Sequence, residues 1–542
     1  MNYSGAIMKN ARIFTVFVFC FLFVLNSCQQ QANKKKKNGK NQVLSINVKD
    51  DPQTLYPQKV RSLADTNMMI TLMEGLFRMD SNAKPQKALV SDYKVSEDGL
   101  HYSFKLIKSN WSDGEPLTAH DFVYAYKKAL TPHFQSSNVH YLYCIKNAQD
   151  VRDAKMPLSL LGVKAIDDYT LQIELETPQV GFLEKLCLPM FLPIPSKTDR
   201  INPNWHLSDE AFVCNGPFKL EKWNHNNEIL VVKNNDYWDS KHVELQAINM
   251  MMLDSSVALK MFRNNDLQWE GSPFTSIPAD EIDNLSESDS LKISPLLGTA
   301  WIRTNVAHSI LKSENMRKAL SLCIDRGTLV EAVARNQESA DGLIPPGLKV
   351  HQGDTTKFDI QEAQEYFNKG LEELNMTKAK CGELTLTYAA SDRQHGIAQA
   401  LQAMWQECLG FDIKLEALEA KVYFDRLSKG DFCMSCGSWI SDTHNPMEFL
   451  ELFETKDRYT NNTNWDSQEY KKLLLEAKSA DSDARAQLLV KAENLLCQQL
   501  PIIPLYHFSM MHVQDDAVKN VALIDSGRID FKNAYIKDEE QV

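Results

Sequence analysis

The sequence predicts an α/β protein of several structural units, one of them rich in β-strand, and three observations carry that reading. The chain has 542 residues, 43% hydrophobic and 24% charged, enough apolar material for three or more units of ~100–200 residues. Leu384, Leu386 and Tyr388 alternate as in a strand; Ile397, Leu401, Met404, Trp405 and Leu409 recur at helical spacing; Phe411, Ile413 and Leu415 alternate again. With Gly410 ending the helix, this is a strand–helix–strand crossover, the building block of parallel sheet. Alternation at Tyr102, Phe104 and Leu106, repeated at Leu171, Ile173 and Leu175, marks a separate β-rich segment.

In chain order, Lys9 and Arg12 precede an apolar stretch over 13–25, too short to span a bilayer comfortably and suited to an export signal. Leu25-Asn26-Ser27-Cys28 follows. It resembles a bacterial lipobox, which implies cleavage before Cys28 and lipidation of its thiol, residues 1–27 being the signal peptide. Residues 28–42 are polar and include Lys34 to Lys37, a flexible basic tether. A strand is expected at 43–48, a helix at 66–77, a helix at 120–130, and strands at 229–232 and 248–253. Helices at 470–480 and 484–499 close the region, the second burying Leu488, Leu489, Ala492, Leu495 and Leu496. Pro501 and Pro504 then stop helix formation and hand over to a strand.

Composition excludes several functions. With 59 Lys+Arg against 71 Asp+Glu, the chain lacks the basic excess that grips nucleic-acid phosphates. No apolar run beyond the N-terminus reaches the ~18 residues of a membrane span. Eleven cysteines leave nine after Cys20 and Cys28, an odd number with no disulfide-framework spacing. Cys433 and Cys436 have C-x-x-C spacing but read as buried structural thiols. There is no G-x-S-x-G elbow and no H-E-x-x-H zinc helix. Residues 342–347 begin like a phosphate loop, but Leu348 stands where Lys is needed. His507 and His512 are not expected to bind metal, so neither a metal nor a cofactor is predicted. Binding is favoured over catalysis.

Several collinear segments decide the family resemblance: DPQTLYP at 51–57, LMEGL at 72–76, SEDGLHYSF at 96–104, WSDGEPLTAHDF at 111–122, NGPF at 215–218, NNDYWD at 234–239, MRKALSLCIDR at 316–326 and GLIPPG at 342–347. Together they resemble the solute-binding proteins of peptide ABC importers, the oligopeptide/dipeptide-binding family. Most read as structure: a turn at Asp113-Gly114, a helix capped by Thr118 or Asp121, and a tight turn at Asn215-Gly216-Pro217 expected to need positive φ at Gly216. The resemblance implies a two-lobed periplasmic-binding-protein fold (type II, cluster C-like) with an extra β-rich domain. Lobe I is then 43–74, 193–297 and 510–542, the extra domain 75–192, and lobe II 298–509.

The resemblance also implies the site. Ser438-Trp439-Ile440-Ser441-Asp442, followed by Asn445-Pro446, is similar to the family segment whose aspartate receives a peptide's α-ammonium. Asp442 then meets the ammonium, the backbone of Ser438 and Ile440 pairs with the peptide as an added strand, and Trp439 walls a side-chain pocket. Arg61 and Leu63 align with family residues on a facing strand that touch the peptide. Arg61 stands where some relatives carry an acid, and Cys436 where they carry a base. The partners implied are an oligopeptide and an ABC permease, with the lipid at Cys28 holding a monomer to the extracytoplasmic face of a bacterial membrane, in the periplasm. The rival readings are an exported peptidase acting on cell-wall peptides, or a relative that binds nickel, haem or another solute.

Overall fold

Two thirteen-residue strands, Lys292–Thr304 and Ile502–Gln514, run side by side through the centre of an eleven-stranded sheet. The computed structural model describes residues 42–136, 138–340, 342–348, 357–456 and 460–537; the expected signal peptide, Cys28 and all but the last residue of the tether lie outside them. On one side of the central pair the order is Trp269–Gly271, Val43–Asn47, Ala247–Met251, Glu228–Lys233 and Phe218–Asn224. On the other it is Met434–Ile440, Thr385–Ala389 and Lys414–Leu418. The central ladder pairs Pro295 with Ser509 and then Thr299 with His507, so its register breaks between. That break separates the half of the sheet paired to Trp269–Gly271 from the half paired to Met434–Ile440.

Each half has its own core, which makes the molecule two-lobed. In the second lobe the crossover read from sequence is present: Thr385–Ala389, the helix Asp392–Leu409 and Lys414–Leu418, with the two strands parallel. Gly410 ends the helix at φ 69°, a left-handed position that suits glycine. Side chains of Lys292–Thr304 alternate between faces. Ala300 and Ile302 pack with Leu386, Leu401 and Trp405, whereas Leu297 and Trp301 pack with Phe449, Leu474 and Leu489. Cys323 and Cys408 are joined in a disulfide, a pairing that spacing alone did not reveal. Cys433 and Cys436 are free, and burial pushes the Cys436 thiol up to about 12.

The first lobe shares a continuous core with a four-stranded antiparallel sheet, Val90–Val95, His101–Leu106, Thr170–Glu174 and Val163–Asp167. The helix Ala119–Ala129 packs there. Thr118 precedes it, its amide donating to Asp121 Oδ2 at 2.9 Å, so both candidate capping residues take part.

Two expectations are corrected. The helix expected at 66–77 spans Leu63–Leu72, with Ser62 Oγ accepting from the Asp65 amide at 3.0 Å. Met73 is already extended, because the Glu74 amide donates to Asn215 Oδ1 at 3.0 Å instead of continuing the helix. Leu76 and Phe77 continue the apolar spacing past the last turn and mimic helix. Gly216 does not occupy positive φ. Glycine is required there because a Cβ would lie 2.5–2.6 Å from the main chain of Leu72 and Met73.

Gly216→Ala is therefore expected to lower unfolding stability by ~1–3 kcal/mol through overpacking against immovable backbone. An unchanged urea midpoint would contradict this.

Candidate ligand-binding site

The strand Met434–Ile440 is paired unequally on its two edges. Along one edge every residue faces Lys292–Thr304, from Met434 opposite Thr304 to Ile440 opposite Gly298. Along the other edge only Met434 and Ser435 have strand partners, Leu386 and Thr387. The Ser441 amide donates to the Leu297 carbonyl at 2.7 Å. Antiparallel alternation then turns the main-chain groups of Trp439 and Gly437 towards Lys292–Thr304, and those of Ser438 and Ile440 towards the open edge. Ser438 is exposed and Ile440 is 38% exposed, a large apolar side chain left in solvent. Trp439 is half-buried, and its indole Nε1 is enclosed without an acceptor.

The chain leaves the strand at Ser441 and turns into the helix Met447–Glu451, and that turn is held by residues of the C-terminal segment and of the unit built on the four-stranded sheet. Asp442 accepts a hydrogen bond from the Tyr141 hydroxyl at 2.5 Å, and its carbonyl accepts one from Arg528 Nη2. Tyr141 is only 8% exposed and Arg528 4%. Burial, reinforced by the charge of Asp442, raises the Tyr141 hydroxyl well above its ordinary pKa, so it stays a donor. Among the described residues no cationic side chain forms an ion pair with the Asp442 carboxylate. Behind it, Glu448 accepts from Ser441 Oγ at 2.7 Å and Thr443 Oγ1 at 2.6 Å. Burial, then the neighbouring Asp442 charge, pushes Glu448 up to about 7, against the pull of the two hydroxyls. Two carboxyls thus share one enclosed neighbourhood, an arrangement that attracts a cation.

His444 completes the turn. Its Nδ1 lies 2.8 Å from Glu184 Oε1 and its Nε2 2.6 Å from Asp525 Oδ1, while its amide also donates to Glu184 at 2.7 Å. Both ring nitrogens face carboxylates, which suits the doubly protonated ring.

The six residues expected at the site are not equally assembled. Ser438, Trp439, Ile440 and Asp442 form one continuous surface. Leu63 lies against Gly527, the neighbour of Arg528: a Cβ on that glycine would stand 2.5 Å from Leu63 Cδ2. Arg61 is exposed and is brought to none of these groups. The facing strand expected at 61–63 is absent, because Ser62 caps a helix that begins at Leu63. Tyr141, Arg528, His444, Glu184 and Glu448 went unread in the sequence. Only Glu448, close to two hydroxyl residues and Asp442 in sequence, carried any local signal.

The sequence matches the bacterial extracellular solute-binding proteins, family 5 Middle, over residues 84–461. The chain belongs to that family. It is 34% identical to the oligopeptide-binding protein OppA of Bacillus subtilis, over 98% of this chain and 100% of the relative. It is 32% identical to the dipeptide-binding protein DppE of the same organism, over 94% and 96%. The crystal structure of Haemophilus influenzae OppA in complex with RPPGFSPFR superposes with a TM-score of 0.80 at 26% identity, over 93% of this chain and 100% of that one. The chain is a solute-binding protein and not an enzyme.

The ion pairs to Glu184 and Asp525 raise His444 from an ordinary value near ~6.5 to about 9. A folded-state value above the unfolded one means the stabilisation is complete below ~6.5 and is lost as pH rises through about 9. The thermal midpoint of the ligand-saturated protein should therefore fall more between pH 7 and pH 9.5 than that of His444→Gln. Parallel curves would contradict the assignment.

Proposed function

We propose that this chain is a lipid-anchored extracytoplasmic receptor that captures short peptides between its lobes and delivers them to an ABC permease. The observation that carries the reading is an Asp442 carboxylate that has, among the described residues, no ion-pair partner and stands at the end of a strand whose outer edge is open. An extended peptide added to that edge is held through main-chain groups that every peptide possesses, so recognition is independent of sequence. Ser438 and Ile440 supply the main-chain partners, Asp442 receives the α-ammonium, and the Tyr141 hydroxyl holds the carboxylate in place. Trp439 and Leu63 wall the first side-chain pockets. The ligands for which the relatives are named, an oligopeptide, a dipeptide and RPPGFSPFR, support the peptide class.

The register break between Pro295 and Thr299 supports a hinge there, with the first lobe over 43–74, 193–297 and 510–542, the extra domain over 75–192 and the second lobe over 298–509. The contacts of Asp442 and His444 with first-lobe residues then belong to the closed form. A ligand favours closure only through its extra affinity for that form. The lipobox-like segment ending at Cys28 supports attachment of the monomer to the membrane.

Titration calorimetry with a short unblocked peptide tests the site. Asp442→Ala should weaken binding by ~3–5 kcal/mol, because the enclosed ammonium is left uncompensated. Unchanged affinity in a mutant with native circular dichroism would remove Asp442 from the site.

A further inference from the structure

We propose that His444 is a positioning residue for Asp442 and a proton latch of the closed form: protonation of its ring and binding of peptide favour each other. This rests on the reading of Ser438–Asp442 as the peptide-binding edge. His444 stands two residues beyond Asp442, in the turn that leads from the strand Met434–Ile440 to the helix Met447–Glu451. Two separate elements hold its ring. Glu184, on the short helix Phe182–Lys185, meets Nδ1 at 2.8 Å and accepts from the His444 amide at 2.7 Å. Asp525, in the turn between Ala522–Leu523 and Ile529–Asp530, meets Nε2 at 2.6 Å. The same hairpin presents Arg528 to the Asp442 carbonyl, so the turn is gripped at Asp442 and at His444 together.

The bonds of this grip answer differently to a proton. Arg528 keeps its charge at any working pH. The Tyr141 hydroxyl on Asp442 stays protonated, because burial and the Asp442 charge raise it. The imidazole is the exception. Only the doubly protonated ring donates to both carboxylates; a neutral ring has one N–H and turns a lone pair on the other carboxylate. Among the described residues no other cation forms an ion pair with Glu184 or Asp525.

The remaining charges round the turn are engaged elsewhere or stand off. Lys84 lines the same cavity as His444 and Asp525 without bonding either. Lys185 Nζ reaches Gln179 Oε1 at 3.4 Å, and Arg485 Nη2 donates to Asn445 Oδ1 at 2.8 Å. On His444's own element, Glu448 is pushed up to about 7 and so titrates near neutrality, but it makes its hydrogen bonds within the turn, to Ser441 and Thr443. Held between Glu184 and Asp525, the His444 ring keeps its proton up to about 9; with the lobes apart it returns to an ordinary ~6.5. Closure round a peptide therefore takes up a proton between these values, and by linkage the proton strengthens peptide binding.

Titration calorimetry of the purified protein with one unblocked peptide tests this, at pH 7, 8 and 9.5, and at pH 8 in two buffers of different ionisation enthalpy. On binding at pH 8 the unmodified protein should take up ~1 proton more than His444→Gln. Its affinity advantage over that variant should shrink ~10-fold or more between pH 7 and pH 9.5. Titration of the peptide's ammonium and of Glu448 occurs in both proteins and cancels in the comparison. Asp525→Asn, which keeps the ring and one carboxylate, should show a smaller uptake than the unmodified protein, so the test stands whether or not His444→Gln folds. A histidine that merely braces the turn would change affinity equally at every pH. Equal proton uptake and parallel affinity curves in the unmodified protein and the variants, with affinity still lost in Asp442→Ala, overturn the latch alone. If the unmodified protein binds no peptide, the reading of the edge falls and the latch falls with it.

Discussion

Strand Met434–Ile440 has a full ladder on one edge and two paired residues on the other, and much of the second lobe is arranged around that imbalance. Main-chain amides and carbonyls left without partners are costly when enclosed, so an open edge at a lobe boundary persists only if water or a ligand completes it. Asp442 stands at one end with its carboxylate. Beside it Ser438 and Ile440 turn their main-chain groups outward. An extended molecule with a positive end is the natural complement of such a track.

The turn after the strand carries the electrostatics that couple this track to the rest of the molecule. Asp442 and Glu448 bring two carboxyls together, and His444 places a third ionisable group between Glu184 and Asp525. Their partners come from far along the chain: Tyr141 and Glu184 from the unit built on the four-stranded sheet, Asp525 and Arg528 from the C-terminal segment. The same few residues thus hold the turn in shape and report on the approach of the first lobe. Arg528 donates to the Asp442 carbonyl, while the Asp442 carboxylate accepts from the Tyr141 hydroxyl.

Local pattern was a good guide wherever neighbours in sequence are also neighbours in space. The crossover at 384–415 was legible because strand and helix periodicities alternate cleanly, and Ser438, Trp439, Ile440 and Asp442, contiguous in sequence, could be named together through their resemblance to one family segment. Periodicity misled at Leu76 and Phe77, where a tertiary hydrogen bond from the Glu74 amide to Asn215 ends the helix and the apolar spacing does not. Gly216 was recognised as necessary for the wrong reason, since only the packed backbone of Leu72 and Met73 reveals why a side chain cannot fit. Tyr141, Arg528 and the Cys323–Cys408 pairing were invisible because their partners lie in distant segments, and composition gives no hint of which distant residue is nearest. The supposed facing strand at Arg61 and Leu63 fell to a capping serine that local chemistry could have flagged.

The central claim is that a positive chain end meets Asp442 in the closed cleft. It is tested most directly by comparing one pentapeptide with its Nα-acetylated twin in the same calorimetric titration. Acetylation removes only the charge and leaves the main chain that pairs with Ser438 and Ile440, so affinity should fall by at least ~100-fold. Equal affinity of the two peptides would contradict the account.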